Sequence, residues 1–185
     1  GKMGRALALE AVARGAQVTV ITAFHSEPLP FGVERIEVET AKDMAEAVLH
    51  LAQEADIFIG AAAVGDYRVD KPADTKHKRE GEGLTLNLVE NKDILSLVGA
   101  VKQKSLITVG FAAETENMVE NAKAKLTKKK LDLIVANEVG KMDSGFGSDT
   151  TVAALVDKTS VDTLPAMSKS ELAARVFDKI AALIR

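Results

Sequence analysis

Small residues and a carboxylate follow one apolar stretch of the sequence in a pattern that suits ligand binding. Gly60, Ala61 and Ala62 end the run, and Asp66 comes shortly after it. Small side chains let a ligand approach backbone N–H groups, and an aspartate can hold a ribose hydroxyl or a metal ion. The pattern indicates a binding site, although alanine-rich strand ends also serve simply to pack helices closely.

Cations form two clusters that could contact phosphate. Lys76-His77-Lys78-Arg79 lies in a polar stretch, residues 69–83, and three cations in four residues could close over a polyphosphate. Lys125 and Lys129 end a predicted helix, where residues four apart share one face. Simpler explanations stay open for both: a solvated charged loop for the first, and a favourable interaction with the helix dipole for the second.

The first four residues, Gly1-Lys2-Met3-Gly4, could end a phosphate-binding loop that opens a helix. Met3 stands where a Walker loop requires Ser or Thr, and a complete G-x-G-x-x-G fingerprint is absent. The sequence has no Cys and no G-x-S-x-G segment, and His25 and His50 have no partner at metal-ligand spacing. No pattern therefore indicates hydrolysis by a catalytic triad.

The elements that must position these residues alternate between strand and helix. Strand patterns occur at 17–22, 33–39, 56–63, 84–89, 106–112 and 131–136, with a late strand at 151–156 that could lie at a sheet edge. Helix patterns occur at 5–13, 41–55, 93–101, 115–130 and 168–185, with caps at Thr40 and Ser168. The continuous apolar run 56–63 is typical of a central parallel strand. We therefore predict an α/β fold: a doubly wound, mostly parallel, Rossmann-like sheet with helices on both faces and a ligand site beyond the strands' carboxyl ends.

Composition restricts the class of protein. The 185 residues are 46% hydrophobic and 28% charged, which suits one domain over 1–185. A formal charge of -3 argues against a nucleic-acid-binding surface. No apolar run reaches the roughly 18 residues of a membrane span, and no targeting signal is visible. A cytoplasmic protein is expected.

Taken in order, the motifs resemble those of the phosphopantothenate–cysteine ligase family, the synthetase half of the bifunctional coenzyme A biosynthesis flavoprotein. The matching segments are GKMG at 1–4, AAVGDYR at 62–68, KHK at 76–78, GFAAET at 110–115 and DLIVAN at 132–137. The resemblance implies that the carboxylate of 4'-phosphopantothenate attacks CTP, that pyrophosphate leaves, and that the amine of L-cysteine opens the acyl-cytidylate and releases CMP. It also implies Mg²⁺ to neutralise the triphosphate.

The resemblance also implies site residues. Lys76 matches the first lysine of a mobile loop that closes on the intermediate, and it is the implied catalytic residue. The residues implied to bind CTP are Gly60, Ala61, Ala62, Asp66, Lys76, Asn91, Lys92, Asp93, Ile94, Phe111, Lys125 and Lys129. Those from 91 to 94 form the turn that reads the cytosine edge. Two positions depart from the family: Arg79 replaces a lysine and changes the hydrogen-bonding shape, and Lys92 replaces a proline and makes the turn less rigid.

Partners follow from the same resemblance. The family has a strand, a glycine loop and an asparagine before the GKMG segment, and the sequence taken as it stands, without them, is expected to have weak or no ligase activity. A flavin-dependent decarboxylase is usually fused ahead of the synthetase, so we expect such a domain, fused or separate, and no FMN in this chain. The family acts as a homodimer whose subunits complete each other's sites.

Two other functions remain compatible with the sequence. A nicotinamide-dependent oxidoreductase could share this fold, but it would place an acidic residue after the second strand, where Ala23-Phe24-His25 offers none. A nucleotide-binding or oligomerisation module without catalysis would bind CTP and release no pyrophosphate.

Overall fold

The computed structural model describes residues 1–23, 28–73, 75, 81, 83–114, 116–138 and 150–184. The helices are α1 (Lys2–Ala13), α2 (Ala41–Leu51), α3 (Ile94–Val101), α4 (Met118–Lys128) and α5 (Lys169–Ile184). The strands are β1 (Thr19–Ala23), β2 (Glu34–Val38), β3 (Ile57–Gly60), β4 (Tyr67–Val69), β5 (Leu88–Glu90), β6 (Ile107–Glu114), β7 (Leu133–Glu138), β8 (Thr150–Asp157) and β9 (Val161–Ser168). No helix within these ranges is long and apolar enough to cross a membrane.

The main sheet has five strands in the order β3-β6-β7-β8-β9. Strands β3, β6 and β7 run parallel, and β8 and β9 are added antiparallel. Strands β1 and β2 form a separate parallel pair, and β4 and β5 form a short antiparallel ribbon. The carboxyl ends of β3, β6 and β7 therefore lie at one edge of the sheet, where α/β proteins bind their ligands.

Helices cover both faces of this sheet, which confirms the predicted α/β class. Helices α1 and α5 pack on one face against alternate residues of the central strands, such as Val109, Leu133 and Val135. Helix α4 packs on the other face against Ala112 and Ile134, which point the opposite way. Helices α2 and α3 pack against each other through a third apolar cluster that Phe58 of β3 joins.

Two helix caps form as the sequence predicts. Thr40 accepts a hydrogen bond from the backbone N–H of Asp43, whose carboxylate accepts one from the N–H of Thr40 in return. Ser168 and Glu171 make the same reciprocal pair at the start of α5. Each pair satisfies backbone donors that a helix end leaves free, so α2 and α5 begin where the pattern places them.

Five strands differ from the prediction. Strand β4 was not predicted, and β5 begins at Leu88, whereas the pattern starts at residue 84. Strand β3, predicted to be central, lies at the edge of the five-stranded sheet in the described part of the chain, because β1 pairs with β2 instead. Strand β8 is internal and not at an edge, because β9 lies outside it. Strand β9 itself was not predicted: Pro165 lacks a backbone donor and weakens its pattern, but an edge strand tolerates proline.

Candidate active site

A pair of glycines seats α3 on the ends of the parallel strands. Gly60 and Gly110 are neighbours in the β3–β6 register. A Cβ on Gly60 would lie 2.8 Å from Cδ2 of Leu95, and one on Gly110 would lie 3.2 Å from Cδ1 of the same leucine. The absence of both side chains leaves a hollow that Leu95 fills, so the first turn of α3 rests directly on the sheet.

The turn before α3 is held by hydrogen bonds to the loop that follows β3. The Asn91 side chain donates to the carbonyl of Gly65 at 2.8 Å, and its backbone N–H donates to the carbonyl of Asp66 at 2.7 Å. Arg68 donates to the carbonyl of Glu90 at 2.6 Å. The loop after β3 and the turn at 91–93, predicted separately to contact CTP, are therefore joined in one structure.

Asp93 links this turn to α4. Its carboxylate accepts hydrogen bonds from the backbone and hydroxyl of Ser96, which cap the start of α3, and it forms an ion pair with Lys129 at 2.9 Å. Partial burial opposes ionisation of Asp93, but the hydrogen bonds from Lys129 and Ser96 outweigh it and lower the carboxyl's pKa below its ordinary value. The aspartate is therefore charged at neutral pH, and it fixes the lysine beside the turn.

Close contact between α3 and the end of α4 makes this arrangement possible. A Cβ on Gly99 would lie 1.9 Å from the carbonyl oxygen of Lys129. Only glycine lets the two backbones approach this closely. Gly99 therefore sets the separation across which Asp93 and Lys129 meet.

The second predicted lysine also has a carboxylate partner. Lys125 forms an ion pair with Glu114 at 2.5 Å, and Asn121 donates to the other oxygen of Glu114 at 2.9 Å. Glu114 ends β6 and is buried, whereas the Lys125 side chain is 43% exposed. Lys125 is therefore held by Glu114 at the carboxyl edge of the sheet and remains partly exposed to solvent.

The structure separates other predicted residues from this group. Ala61 and Phe111 pack with the cluster of α1 and α5, on the opposite face of the sheet from α4. Ile94 is buried against α2, so only its backbone is available to a ligand. Ala62 and Asp66, in the loop after β3, and Lys92, in the turn at 91–93, are exposed. Lys76, the predicted catalytic residue, lies outside the described residues.

Three residues of the candidate site have no role that the sequence predicted: Glu114, Gly99 and Asn137. Glu114 appeared only as part of a motif, and Gly99 as one residue of a helix pattern. A single sequence offers no sign of either role, because each depends on a neighbour far along the chain. Asn137, in β7, has a buried side-chain oxygen with no hydrogen-bond partner among the described residues. Such an acceptor carries a free-energy cost unless a ligand or water satisfies it.

The described residues include no group of three or more His, Cys, Asp or Glu side chains that could hold a metal ion. The two carboxylates best placed at this edge, Asp93 and Glu114, are already paired with lysines. The described part of the site therefore offers cations for an anionic ligand and no protein cage for a metal.

Comparison with known proteins identifies the family. Residues 1–184 match the DNA/pantothenate metabolism flavoprotein C-terminal domain. The coenzyme A biosynthesis bifunctional protein CoaBC of Vibrio vulnificus strain YJ016 is 40% identical over 186 residues, which cover 100% of this chain and 46% of that protein. CoaBC of Bacillus subtilis strain 168 is 44% identical over 185 residues, covering 99% and 45%. The chain thus spans about half the length of these relatives.

A solved structure agrees with this comparison. The crystal structure of the C-terminal domain of CoaBC superposes with a TM-score of 0.83 at 34% identity, covering 100% of this chain and 83% of that one. This match over the length of the chain is in line with the resemblance drawn from the motifs. The chain therefore belongs to the DNA/pantothenate metabolism flavoprotein C-terminal domain family, the family of the synthetase half of CoaBC.

Proposed function

We propose that this chain joins 4'-phosphopantothenate to L-cysteine at the expense of CTP, as a step of coenzyme A biosynthesis. Family membership supports the proposal, since the relatives are bifunctional proteins of that pathway. The observation that carries it is the ion pair between Lys129 and Asp93 of the Asn91–Asp93 turn, with Lys125 of the same helix paired to Glu114 at the carboxyl end of β6.

On binding CTP, Lys125 and Lys129 would exchange their carboxylate partners for the triphosphate. Lys125 and Lys129 each hold a carboxylate in the absence of ligand, and Lys125 is almost half exposed. A triphosphate has more negative charge and more acceptor oxygens than one carboxylate, so it can draw both ammonium groups toward itself. Asn91 and Asp93 would then face the base, and Asp66 the ribose.

The chemistry proposed for the bound nucleotide has two steps. A carboxylate oxygen of 4'-phosphopantothenate attacks the α-phosphorus of CTP, the bond to the β-phosphate oxygen breaks, and pyrophosphate leaves. The amine of L-cysteine then attacks the acyl carbon, CMP leaves with the bonding electrons, and the amine loses a proton. Lysines held close to the phosphates stabilise the charge that develops on the leaving groups. We retain Lys76 as the loop residue proposed to close on the acyl-cytidylate.

Magnesium would arrive as part of the substrate. Mg²⁺ usually binds through substrate phosphates and one or two carboxylates, and it keeps several waters. CTP would therefore enter as its magnesium complex, and the proposal assigns no described residue as a metal ligand. FMN has no part in the proposed reaction.

The proposal includes partners. We infer that the chain works as a homodimer, and that a flavin-dependent decarboxylase domain, fused or separate, supplies the neighbouring step. The half-length coverage of bifunctional relatives supports the second inference. The cytoplasm, where soluble biosynthetic enzymes act, is the proposed location.

Calorimetry and a pyrophosphate assay test the function together. We expect CTP with Mg²⁺ to bind, pyrophosphate release, however slow, to require 4'-phosphopantothenate, and CMP release to require cysteine. CTP at about 100 times its dissociation constant should stabilise the fold by about 2.7 kcal/mol. A chain that shows neither CTP binding nor CTP-dependent pyrophosphate release contradicts the proposal.

A matched pair of lysine variants tests the site. Lys129→Gln should weaken CTP binding about tenfold or more, because a hydrogen bond to a charged group contributes about 1.5–3 kcal/mol. Lys104→Gln removes an exposed lysine from the turn before β6, at the opposite edge of the sheet, and should leave the affinity unchanged. Equal CTP affinity in both variants would remove Lys129 from the site.

A further inference from the structure

One polar side chain stands in an otherwise apolar row on the face of the main sheet that α1 and α5 cover. Asn137 of β7 lies between Ala113 of β6 and Ala153 of β8, and Leu164 of β9 is next in the row. Val135, two residues earlier in β7, packs with α1 and α5, and side chains alternate along a strand, so Asn137 points to the same face. An amide therefore occupies a position whose neighbours along the row are alanine and leucine.

The side-chain oxygen of Asn137 is buried and accepts no hydrogen bond from any described residue. In the described part of the chain it is the single buried side-chain oxygen or nitrogen without a partner. Other buried polar groups are paired: the hydroxyl of Thr108 donates to Asp132, and the carboxylate of Asp157 accepts from the backbone of Ser160. An unpaired buried acceptor costs free energy that an apolar residue of the same shape avoids, so Asn137 requires a donor from outside the described residues.

A ligand can reach this position from solvent. Asn137 is partly exposed, whereas the four residues before it in β7 are buried. Ala113, its neighbour in β6, is exposed, although Ala112 and Glu114 on either side are buried. Neighbouring strands lie about 4.8 Å apart. A molecule that rests on Ala113 therefore lies within hydrogen-bonding reach of the Asn137 side chain.

The position lies on the opposite face of the sheet from the lysines proposed to hold the triphosphate. Glu114, next to Ala113 in β6, points toward α4 and pairs with Lys125. Adjacent residues of a strand point to opposite faces, so Ala113 and Asn137 face away from that ion pair. In displacement at phosphorus, the attacking and leaving oxygens lie roughly in line on either side of the phosphorus. Because the lysines would hold the departing pyrophosphate, the attacking acid belongs on the Asn137 side.

We propose that the side-chain oxygen of Asn137 accepts a hydrogen bond from a hydroxyl or amide N–H of the uncharged chain of 4'-phosphopantothenate, and that this bond positions the substrate's carboxylate at the strand ends. The inference deepens the proposed function and rests on it. A carbonyl oxygen needs a donor, which the phosphates of CTP lack. The ammonium of cysteine is a donor, but burying a charge on a face lined by Ala113, Ala153 and Phe111 costs far more than burying a hydroxyl or an amide.

Replacing the amide by an apolar group of similar shape tests this assignment. Asn137→Leu keeps the number of heavy atoms and removes the acceptor. Its affinity for 4'-phosphopantothenate should fall about threefold to tenfold, the effect of one neutral hydrogen bond, and its affinity for CTP should stay at the wild-type value. Gln17→Leu removes an exposed amide before β1 and should leave both affinities unchanged. Titration calorimetry with each substrate alone measures these affinities.

Stability without substrates separates a binding role from a structural one. Removing an unpaired acceptor relieves its cost, so urea unfolding should find Asn137→Leu as stable as the wild type or more stable. Asn137→Ala introduces the residue type of the two neighbours in the row, and it should lose affinity for 4'-phosphopantothenate to the same degree. An affinity that neither substitution changes overturns the proposal. A destabilised Asn137→Leu variant with wild-type affinity also overturns it, because the amide then serves the fold alone.

Kinetics distinguish the substrates and keep the ligase proposal separate. In the assay of pyrophosphate and CMP release, the KM for 4'-phosphopantothenate should rise in Asn137→Leu, while the KM values for CTP and cysteine stay unchanged. A rise confined to cysteine overturns the assignment. Pyrophosphate release with the same KM in both proteins contradicts the role of Asn137 and leaves the ligase proposal standing. Asn137-dependent binding of 4'-phosphopantothenate by a chain that neither binds CTP nor releases pyrophosphate supports the role of Asn137 and contradicts the ligase proposal.

Discussion

The two edges of the main sheet use the same residue types for different purposes. At the carboxyl edge, Lys129 pairs with Asp93 and Lys125 pairs with Glu114. At the amino edge, where Asp157 lies opposite Leu133 at the start of β7, Lys179 pairs with Asp157. Both edges therefore have lysine–carboxylate pairs close to helices.

The pairs differ in how fully their hydrogen-bonding capacity is used. Asp157 accepts from the backbone and hydroxyl groups of both Thr159 and Ser160 and also binds Lys179, so both of its oxygens are occupied. Lys179 also binds Asp162. The two carboxylates are similarly buried, with Asp157 4% and Glu114 10% exposed, whereas Lys179 is 16% and Lys125 is 43% exposed. The buried pair with saturated hydrogen bonds serves structure, and the more exposed Lys125 can exchange its carboxylate partner for a ligand.

Removing Lys179 should have the largest effect on stability and sharpen this contrast. Lys179→Ala leaves Asp157 charged, buried and without its cation, and breaking a buried pair costs about 3–5 kcal/mol. Lys125→Ala leaves Glu114, which is also buried, but its lysine is 43% exposed and Asn121 still donates to Glu114, so the loss should be smaller than for Lys179→Ala. Urea unfolding of the two variants measures the difference. Equal losses would show that the two edges are energetically alike.

Substituting Gly99 should disrupt the Asp93–Lys129 ion pair at the carboxyl edge without removing a charged residue. Gly99→Ala forces α3 away from the Lys129 carbonyl, and overpacking of this kind typically costs about 1–3 kcal/mol. The Asp93–Lys129 pair should separate, so CTP affinity should fall together with the melting temperature. Gly4→Ala in α1 meets no atom within 4 Å and should keep or raise the stability. A Gly99→Ala variant with wild-type stability would contradict the close approach.

Lowering the pH should reduce the free energy of unfolding through Asp157 at the amino edge, by less than the two substitutions above. The pKa of Asp157 is held well below its ordinary value: burial opposes ionisation, but Lys179 and the Thr159 and Ser160 groups outweigh it. A lowered pKa adds stability above the ordinary aspartate value, about 3.9, and that stability is lost as the pH falls further. Free energies of unfolding at pH 7 and pH 3 should therefore differ less in Asp157→Asn than in the wild type. The same difference in both proteins would exclude this contribution.

The element order was predictable because local patterns specify it. The helix from Lys2 to Ala13 follows from its run of helix formers, and the capped starts of α2 and α5 follow from Thr40, Ser168 and Glu171. Strands β6 and β7 follow from continuous apolar runs that suit burial on both faces. Strand β9 was missed because Pro165 weakens its local pattern while the pairing with β8 maintains the strand.

The candidate site was predictable only in part. Small residues at strand ends and lysines four apart on a helix are visible along the chain, and the structure places Gly60, Asn91, Asp93 and both lysines at one edge. Ala61 and Phe111 face the other side of the sheet, because strand alternation and the position of α1 and α5 decide which side each residue takes.

The sequence by itself determined the α/β class, the caps, the family motifs and the residue types that can bind a nucleotide, since each depends on neighbours a few positions away. Tertiary structure alone decided that Gly99 and the Lys129 carbonyl touch and that Glu114 binds Lys125. It also decided that, within the described residues, β3 lies at the edge of the sheet and the leucines of residues 84–88 are exposed. These features depend on contacts between segments distant along the chain, and packing chooses among arrangements that local preferences leave equal.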